Sequence, residues 1–530
     1  MKKIKTKKTG KQILSLILSV LLIFSAVFLI FSCAKNDDSS NSSNNNNNNK
    51  EQNNDNANNA GEDNNNPEGV NAEEPAELIS PIPEGVQFGG EEIRILNCSY
   101  FGEELVFMNA EGEIGEIVND GVYRRNIKVQ SDLNVNFKFT DISLQNAGNF
   151  QKMVKNSVNA GSDDYDFLIG VQYDCVQLAT ANVYANLAGA PYIDLDKPWW
   201  PAKNIQEELV IGKNTLYFLG GDISLNFIRN MGCVFFNKQL YSENFDNHPD
   251  EMYKLVLDGK WTIDKLDEMS KIMYKDLNGD GKFDDGDQYG SGVITNNLTD
   301  HFTYAAGVRA TERDAQGVPY FVMNNERTVS FTEKLHNLFY NNEGVRVYVS
   351  AEETNNALIP GKFKNNELLF DFGWFYISEL LRDMKTDYGV IPYPKFDENQ
   401  PSYLSLAHDI VPLYCVPTTC VKTEAVCAVL ESMAFESYKS LVPAYYEIAL
   451  KLKYTRDTNE DAFKIIDMIH DNCTTDFAYV YNYALNSVGL IMRELMAGKS
   501  SDFVSKYEKI EPKAQKSLEK LIDTYLNNGD

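Results

Sequence analysis

Between positions 276 and 287 the chain reads Asp276-Leu-Asn278-Gly-Asp280-Gly281-Lys282-Phe283-Asp284-Asp285-Gly286-Asp287. Side-chain oxygens fall at the first, third, fifth, ninth and twelfth places, with glycine at the sixth, where the backbone must turn sharply. Lys282, at the seventh place, would supply its backbone carbonyl, and Phe283 beside it is suitably apolar. This is the spacing of a calcium loop, because a hard cation wants roughly six to eight oxygens gathered from a short stretch. The ligand set is then Asp276, Asn278, Asp280, Lys282, Asp284 and Asp287. Asp287 departs from the usual pattern, standing where a longer bidentate glutamate is common. A lone loop of this kind reads as structural rather than as a sensor. The same residues would also form an Asx- and Gly-rich turn without any metal.

Other reactive groupings are missing from the sequence. Neither H-E-x-x-H nor G-x-S-x-G occurs. Gly498-Lys499-Ser500 looks like the end of a phosphate loop, but Arg493 stands where its first glycine must be. The 76 acidic residues make many chance pairs, so spacing alone selects none for glycoside hydrolysis. Cys98, Cys175, Cys233, Cys415, Cys420, Cys427 and Cys473 form no C-x-x-C pair, and the five histidines make no zinc spacing with them. Cys420 and Cys427 read as buried free thiols on a helix.

The elements that must position any site alternate. Glu92–Asn97 alternates as a strand, 114–133 has helical periodicity, 135–139 is strand-like, 147–159 helical, and 165–170 a buried strand. Such alternation predicts a parallel sheet with helices on both faces. Further strands are expected at 216–219, 232–236, 367–370 and 388–391, and a mainly helical region beyond about 422. The class is α/β.

The order of these pieces carries a resemblance. YDFLIGVQYD (165–174), followed by NLAGAPYIDLD with Leu187, is similar to a first-lobe strand and its x-L-x-D-L segment. GGDISLNFIRNMGCVFFNKQL (220–240) resembles a crossover ending in an aromatic-Asn-Lys strand. GKWTIDKLDEMSKIMYKD (259–276) resembles a family helix, although Trp261 precedes Thr262 here. GKFKNNELLFDFGWFYISEL (361–380) and DYGVIPYPK (387–395) resemble the G-x-x-A-M-x-x-x-G-x-W and G-x-x-P-x-P pair. From about 86 to 530 the chain thus resembles the extracellular solute-binding proteins of ABC importers, in the sugar-binding, maltose-binding-protein-like group. The resemblance implies a bilobal periplasmic-binding-protein-like fold, two doubly wound sheets joined by a hinge. Lobe 1 would comprise about 90–220 and 405–436, lobe 2 about 225–395 and 437–530. It also implies capture of a carbohydrate by lobe closure, delivery to ABC permease subunits, and no chemistry.

Open α/β sheets bind at the carboxyl ends of their strands. Sugars need aromatic platforms plus a few carboxylates and amides. Trp374 occupies the place of the family's stacking tryptophan. Asp371, Tyr376, Tyr173 and Asp222 are the further candidates from strand ends, with helix capping as the alternative for Asp371. The Pro-bounded pair Trp199-Trp200 either walls the cleft or packs under its own loop.

The N-terminus reads as an address. Six lysines precede Cys33, residues 13–31 are almost unbroken apolar, and Ile30-Phe31-Ser32-Cys33 resembles a bacterial lipobox, though Phe31 is larger than usual. The resemblance implies a signal peptide over 1–32, lipidation of Cys33 and anchoring at the extracytoplasmic face of the cell membrane; an uncleaved apolar anchor is the alternative. Of residues 36–66, 16 of 31 are asparagine, so 33–85 reads as a disordered tether. The formal charge is −27, and −33 without the six leader lysines, which disfavours nucleic acid as a partner. Two rival readings remain at this stage: an anchored glycoside hydrolase, and a calcium-stabilised adhesion lipoprotein.

Overall fold

The computed structural model describes residues 78–99, 101–143, 149–200, 203–348, 357–446 and 459–528. Cys33, the apolar run 13–31 and the Asn-rich stretch lie outside them. The described residues fall in the unit Ala76–Asp530, and no described helix is long and apolar enough to cross a membrane.

In chain order the strands are β1 (Glu91–Ser99), β2 (Val135–Ser143), β3 (Phe167–Val171), β4 (Leu219–Gly220), β5 (Gly232–Asn237), β6 (Tyr289–Ile294), β7 (Thr311–Arg313), β8 (Pro319–Phe321), β9 (Val345–Tyr348), β10 (Leu368–Trp374), β11 (Tyr388–Ile391), β12 (Ser405–Leu406), β13 (Pro412–Cys415) and β14 (Cys473–Thr474). Lobe 1 is built on a sheet of order β2-β1-β3-β13-β4, lobe 2 on one of order β11-β5-β10-β6-β9. The central strands β3 (FLIGV) and β10 (LLFDFGW) are buried throughout, because helices cover both faces; the edge strand β2 alternates.

Neither sheet is wholly parallel, which corrects the sequence-based expectation. β1, β2 and β3 run parallel, as do β6, β9 and β10, whereas β13 and β5 run against their neighbours. The reason is where these strands come from. Each arrives directly from the other lobe, so it enters its sheet at the hinge. Gly232, the first residue of β5, pairs with Trp374, the last of β10. Pro412, the first of β13, likewise pairs with Val171, the last of β3. The parallel strands therefore end where the crossing strands begin.

Local signals set the helices. Glu116 accepts a hydrogen bond from Val118 N at the start of Ile117–Leu133, and Asn134 ends that helix in the left-handed region. Thr262 caps Ile263–Met273, whose Ile263, Leu266, Met269 and Met273 share a buried face. That helix lies so close to the lobe 2 sheet that a Cβ on Gly344 would sit 1.8 Å from Ser270 O.

At the C-terminal side, Ser437–Leu441 packs on helix 117–133 of lobe 1. Phe477–Val480 meets both Lys203–Leu209 and Gln172–Val176, while Phe503–Asn528 packs on Glu326–Tyr340. The terminal helices therefore touch both lobes. Cys427 is buried on Thr423–Glu436, but Cys420 is half-buried in the turn before that helix.

Candidate functional site

The carboxyl ends of the parallel strands β3 and β10 meet the crossings 392–411 and 221–231, which lead into β13 and β5. From lobe 1, β3 delivers Tyr173 at the start of Gln172–Val176, and β1 delivers Glu104 and Phe107 in the short helix Gly102–Phe107. From lobe 2, β10 delivers Trp374 and Tyr376, and β6 delivers Asn296 and Asn297.

Trp374 ends β10 as the sequence suggests, yet it is only 7 % exposed. It forms the second rung of a ladder of near-parallel rings. Tyr376 stands at 6.4 Å, His301 at 6.0 Å on from Trp374, and Tyr393 at 5.2 Å beyond His301. His408 meets Trp374 edge-on at 5.1 Å. Burial holds His301 well below the usual imidazole range, so it stacks as a neutral ring, and neither of its nitrogens has a hydrogen-bond partner. The half-buried ring of the ladder is Tyr376, whose neighbour is the Arg229 guanidinium at 5.6 Å.

Across from it, Tyr173 is half-buried and lies 6.2 Å from Tyr483, which is 62 % exposed. Tyr483 was not among the candidates from sequence. It comes from the helical C-terminal part, where no strand-end rule points. The polar groups nearby are Asn297, 3.2 Å from His408 Nε2, and Asp409, 2.9 Å from His408 Nδ1. Arg493 braces this wall, donating to Asp300 and, at 3.2 Å, to Asn296. Rings with half-exposed faces and amides beside them can stack on and hydrogen-bond to a polyhydroxylated ligand.

Four candidates lie elsewhere. Asp371 is inside β10 rather than after it, 1 % exposed, with Oδ2 unpartnered; burial pushes its carboxyl up to about 8. It neither caps a helix nor faces the cleft. Asp222, in the first crossing, is fully buried and pairs with His470 at 3.2 Å. Burial opposes the charge on His470, but Asp222 and Asp471 together hold it up at about 10. Trp199 and Trp200 pack under their own loop, with indole N–H groups donating to the two oxygens of Glu431 at 2.7 and 2.8 Å. Burial pushes Glu431 up to about 7 against those two bonds.

The calcium-loop residues sit in lobe 2 between helix 263–273 and β6, away from the cleft. Two surface grooves of about 650 Å³ also lie outside it, one along Ile79–Gln87 and one along β9.

No family model matches this sequence, and no curated protein does. Solved structures do match in fold. The cyclic alpha-maltosyl-1,6-maltose binding protein from Arthrobacter globiformis aligns with a TM-score of 0.53 at 14 % identity, over 83 % of this chain and 100 % of its own. A cyclo/maltodextrin-binding protein complexed with maltotetraose aligns with a TM-score of 0.52 at 11 % identity, over 83 % and 98 %. The galacto-N-biose-/lacto-N-biose I-binding protein of the ABC transporter from Bifidobacterium longum aligns at 0.50 and 12 %, over 83 % and 98 %. The chain has their bilobal fold. Everything these proteins are named for binding is theirs.

Proposed function

We propose that this chain is the substrate-binding component of an ABC importer. It would capture a carbohydrate or oligosaccharide between its lobes and present it to permease subunits. The observation that carries the reading is the pair of aromatic groups facing the hinge from opposite sides. Tyr376, backed by the Trp374 ladder, comes from lobe 2; Tyr173 stands against Tyr483 on the other side. Such rings suit the apolar faces of sugars, and the neighbouring Asn297 and Asp409 suit hydroxyls. The fold relatives that bind maltodextrins and lacto-N-biose support the ligand class. Repeated crossings between the lobes permit hinge closure, in which the ligand favours the closed form through its greater affinity for it.

The role is capture rather than reaction. Attachment through a lipidated Cys33 on the extracytoplasmic face of the membrane, after removal of 1–32, completes the reading; the lipobox-like Ile30-Phe31-Ser32-Cys33 is its support. Titration with a panel of oligosaccharides, followed by tryptophan fluorescence and calorimetry, tests the ligand. Saturable binding of at least one is expected; binding of peptides alone would defeat the reading. Release of reducing ends from a glycan would instead favour the hydrolase alternative.

A further inference from the structure

We propose that the loop Asp276–Asp287 is a structural calcium site that pins lobe 2. The loop joins helix 263–273 to β6, and its base is closed by reciprocal backbone bonds of 3.0 Å between Lys275 and Gln288. Its backbone already follows the path of a cation loop. Asp276 accepts from Gly279 N at 2.6 Å and Gly281 N at 2.9 Å, Asn278 from Asp280 N at 2.9 Å, and Asp280 from Lys282 N at 2.9 Å. Gly279 and Gly281 both take the left-handed backbone that such a turn requires. Among the described residues no three acidic, His or Cys side chains converge as a finished cage. Like charges close together separate until a cation draws them in.

Turn geometry alone would not make a metal site. The independent observation is Asp287. It is fully buried, and its Oδ1 has no hydrogen-bond partner. Its Oδ2 faces Asp284 N at 3.3 Å, across the loop, and the Tyr274 and Tyr289 hydroxyls at 3.4 Å. A buried carboxylate with an orphan oxygen is costly unless a positive charge meets it. The nearby cations do not do so. Lys362 donates to the backbone oxygens of Asp285 and Asp287 and to Glu367, while Arg346 pairs with Asp285. Asp285 is the one acid of the loop's second half that the calcium pattern leaves out. Among the described residues no Lys or Arg ion-pairs with Asp276, Asp284 or Asp287, which the pattern uses; Asp280 has only the exposed Lys282. Of the four carboxylates that the spacing assigns to the metal, three therefore have no cationic partner among the described residues.

The oxygens and their charge select a hard divalent cation large enough for a flexible loop, and so calcium over magnesium. The test uses the folded chain with terbium and calcium as probes. Tyr274 and Tyr289, whose hydroxyls face Asp287, should sensitise terbium emission, and calcium should quench it by competition. The melting temperature should rise by about 3 °C between chelator and calcium at about a hundred times its Kd, and equal magnesium should not reproduce the rise. Asp276→Ala combined with Asp280→Ala should abolish both signals; if that variant does not fold, Asp284→Asn should weaken calcium at least tenfold. The proposal is overturned by a chain without sensitised emission or calcium-dependent melting. It is equally overturned if the signals persist in the variants, which would mark adventitious surface binding. Oligosaccharide affinity is a separate readout, so failure here leaves the sugar reading standing.

Discussion

Arg229 grips Glu379 through two parallel bonds, Nε to Oε1 at 2.7 Å and Nη2 to Oε2 at 2.9 Å. The same guanidinium reaches Glu104 of lobe 1 at 3.4 Å and lies 4.4 Å from the Phe107 ring. One crossing residue thus holds a group from each lobe. Lysine keeps the charge but loses the fork. Arg229→Lys is therefore expected to weaken oligosaccharide binding about tenfold, because a charged hydrogen bond contributes about 1.5–3 kcal/mol. Calorimetry checks the affinity and solution scattering the lobe arrangement. If neither moves, the clasp has no part in closure.

The rings divide into a buried set and a more exposed set. Trp374→Ala, at a site 7 % exposed, should cost about 3–5 kcal/mol of stability in denaturant unfolding. Tyr483→Ala, at an exposed site, should leave stability within about 0.5 kcal/mol. Its expected effect is on affinity, a loss of about tenfold. The opposite pattern would place the ligand elsewhere.

The Asp222–His470 pair gives a pH dependence with a fixed sign. The folded state raises the histidine from its usual 6.5 to about 10. Its contribution is fully present below about pH 6.5 and disappears as pH rises through 10. His470→Gln should lower stability at pH 6 by on the order of 3 kcal/mol, since it leaves Asp222 buried without its partner. The deficit should shrink towards pH 10.5. Urea unfolding at the two pH values measures it; a deficit independent of pH contradicts the assignment.

Asp371 acts with the same sign in a lower pH window. Burial raises its carboxyl to about 8, so the folded chain keeps a proton that the unfolded chain releases from about pH 4 upward. Stability must fall with pH across that window. Asp371→Asn removes this slope and should make the protein more stable at pH 8, by about 2–5 kcal/mol. A less stable variant at pH 8 would show that the charge is compensated.

Much of this was legible because periodicity reports burial. Tyr388–Ile391 and the strand beginning near Glu92 lie where alternation and apolar runs put them. β6, β9 and β13 are not legible in this way. YGSGVI has two glycines, VRVY carries an arginine inside its run and PLYC opens on a proline, and each of these blurs a strand pattern. At the site, Tyr173, Trp374 and Tyr376 came from strand ends, and the structure brings them towards one hinge. Asp222, Trp199 and Trp200 have the right chemical types, but they pair with His470 and Glu431, more than 200 positions away, and Asp371 is buried inside β10. Tyr483 follows no strand, and only the fold brings it to Tyr173, 310 positions away.

The two antiparallel strands also bear on how the chain is made. β13 sits between β3 and β4 in lobe 1, although it follows both in sequence, with all of the lobe 2 sheet in between. Lobe 2's five strands are contiguous from Gly232 to Ile391, so that sheet can assemble as soon as it is synthesised. Lobe 1 cannot: its sheet has a gap until Pro412–Cys415 emerges, and closing so long a loop is entropically slow. During synthesis the first lobe to begin is thus the last to finish, and β3 waits with one edge unpaired.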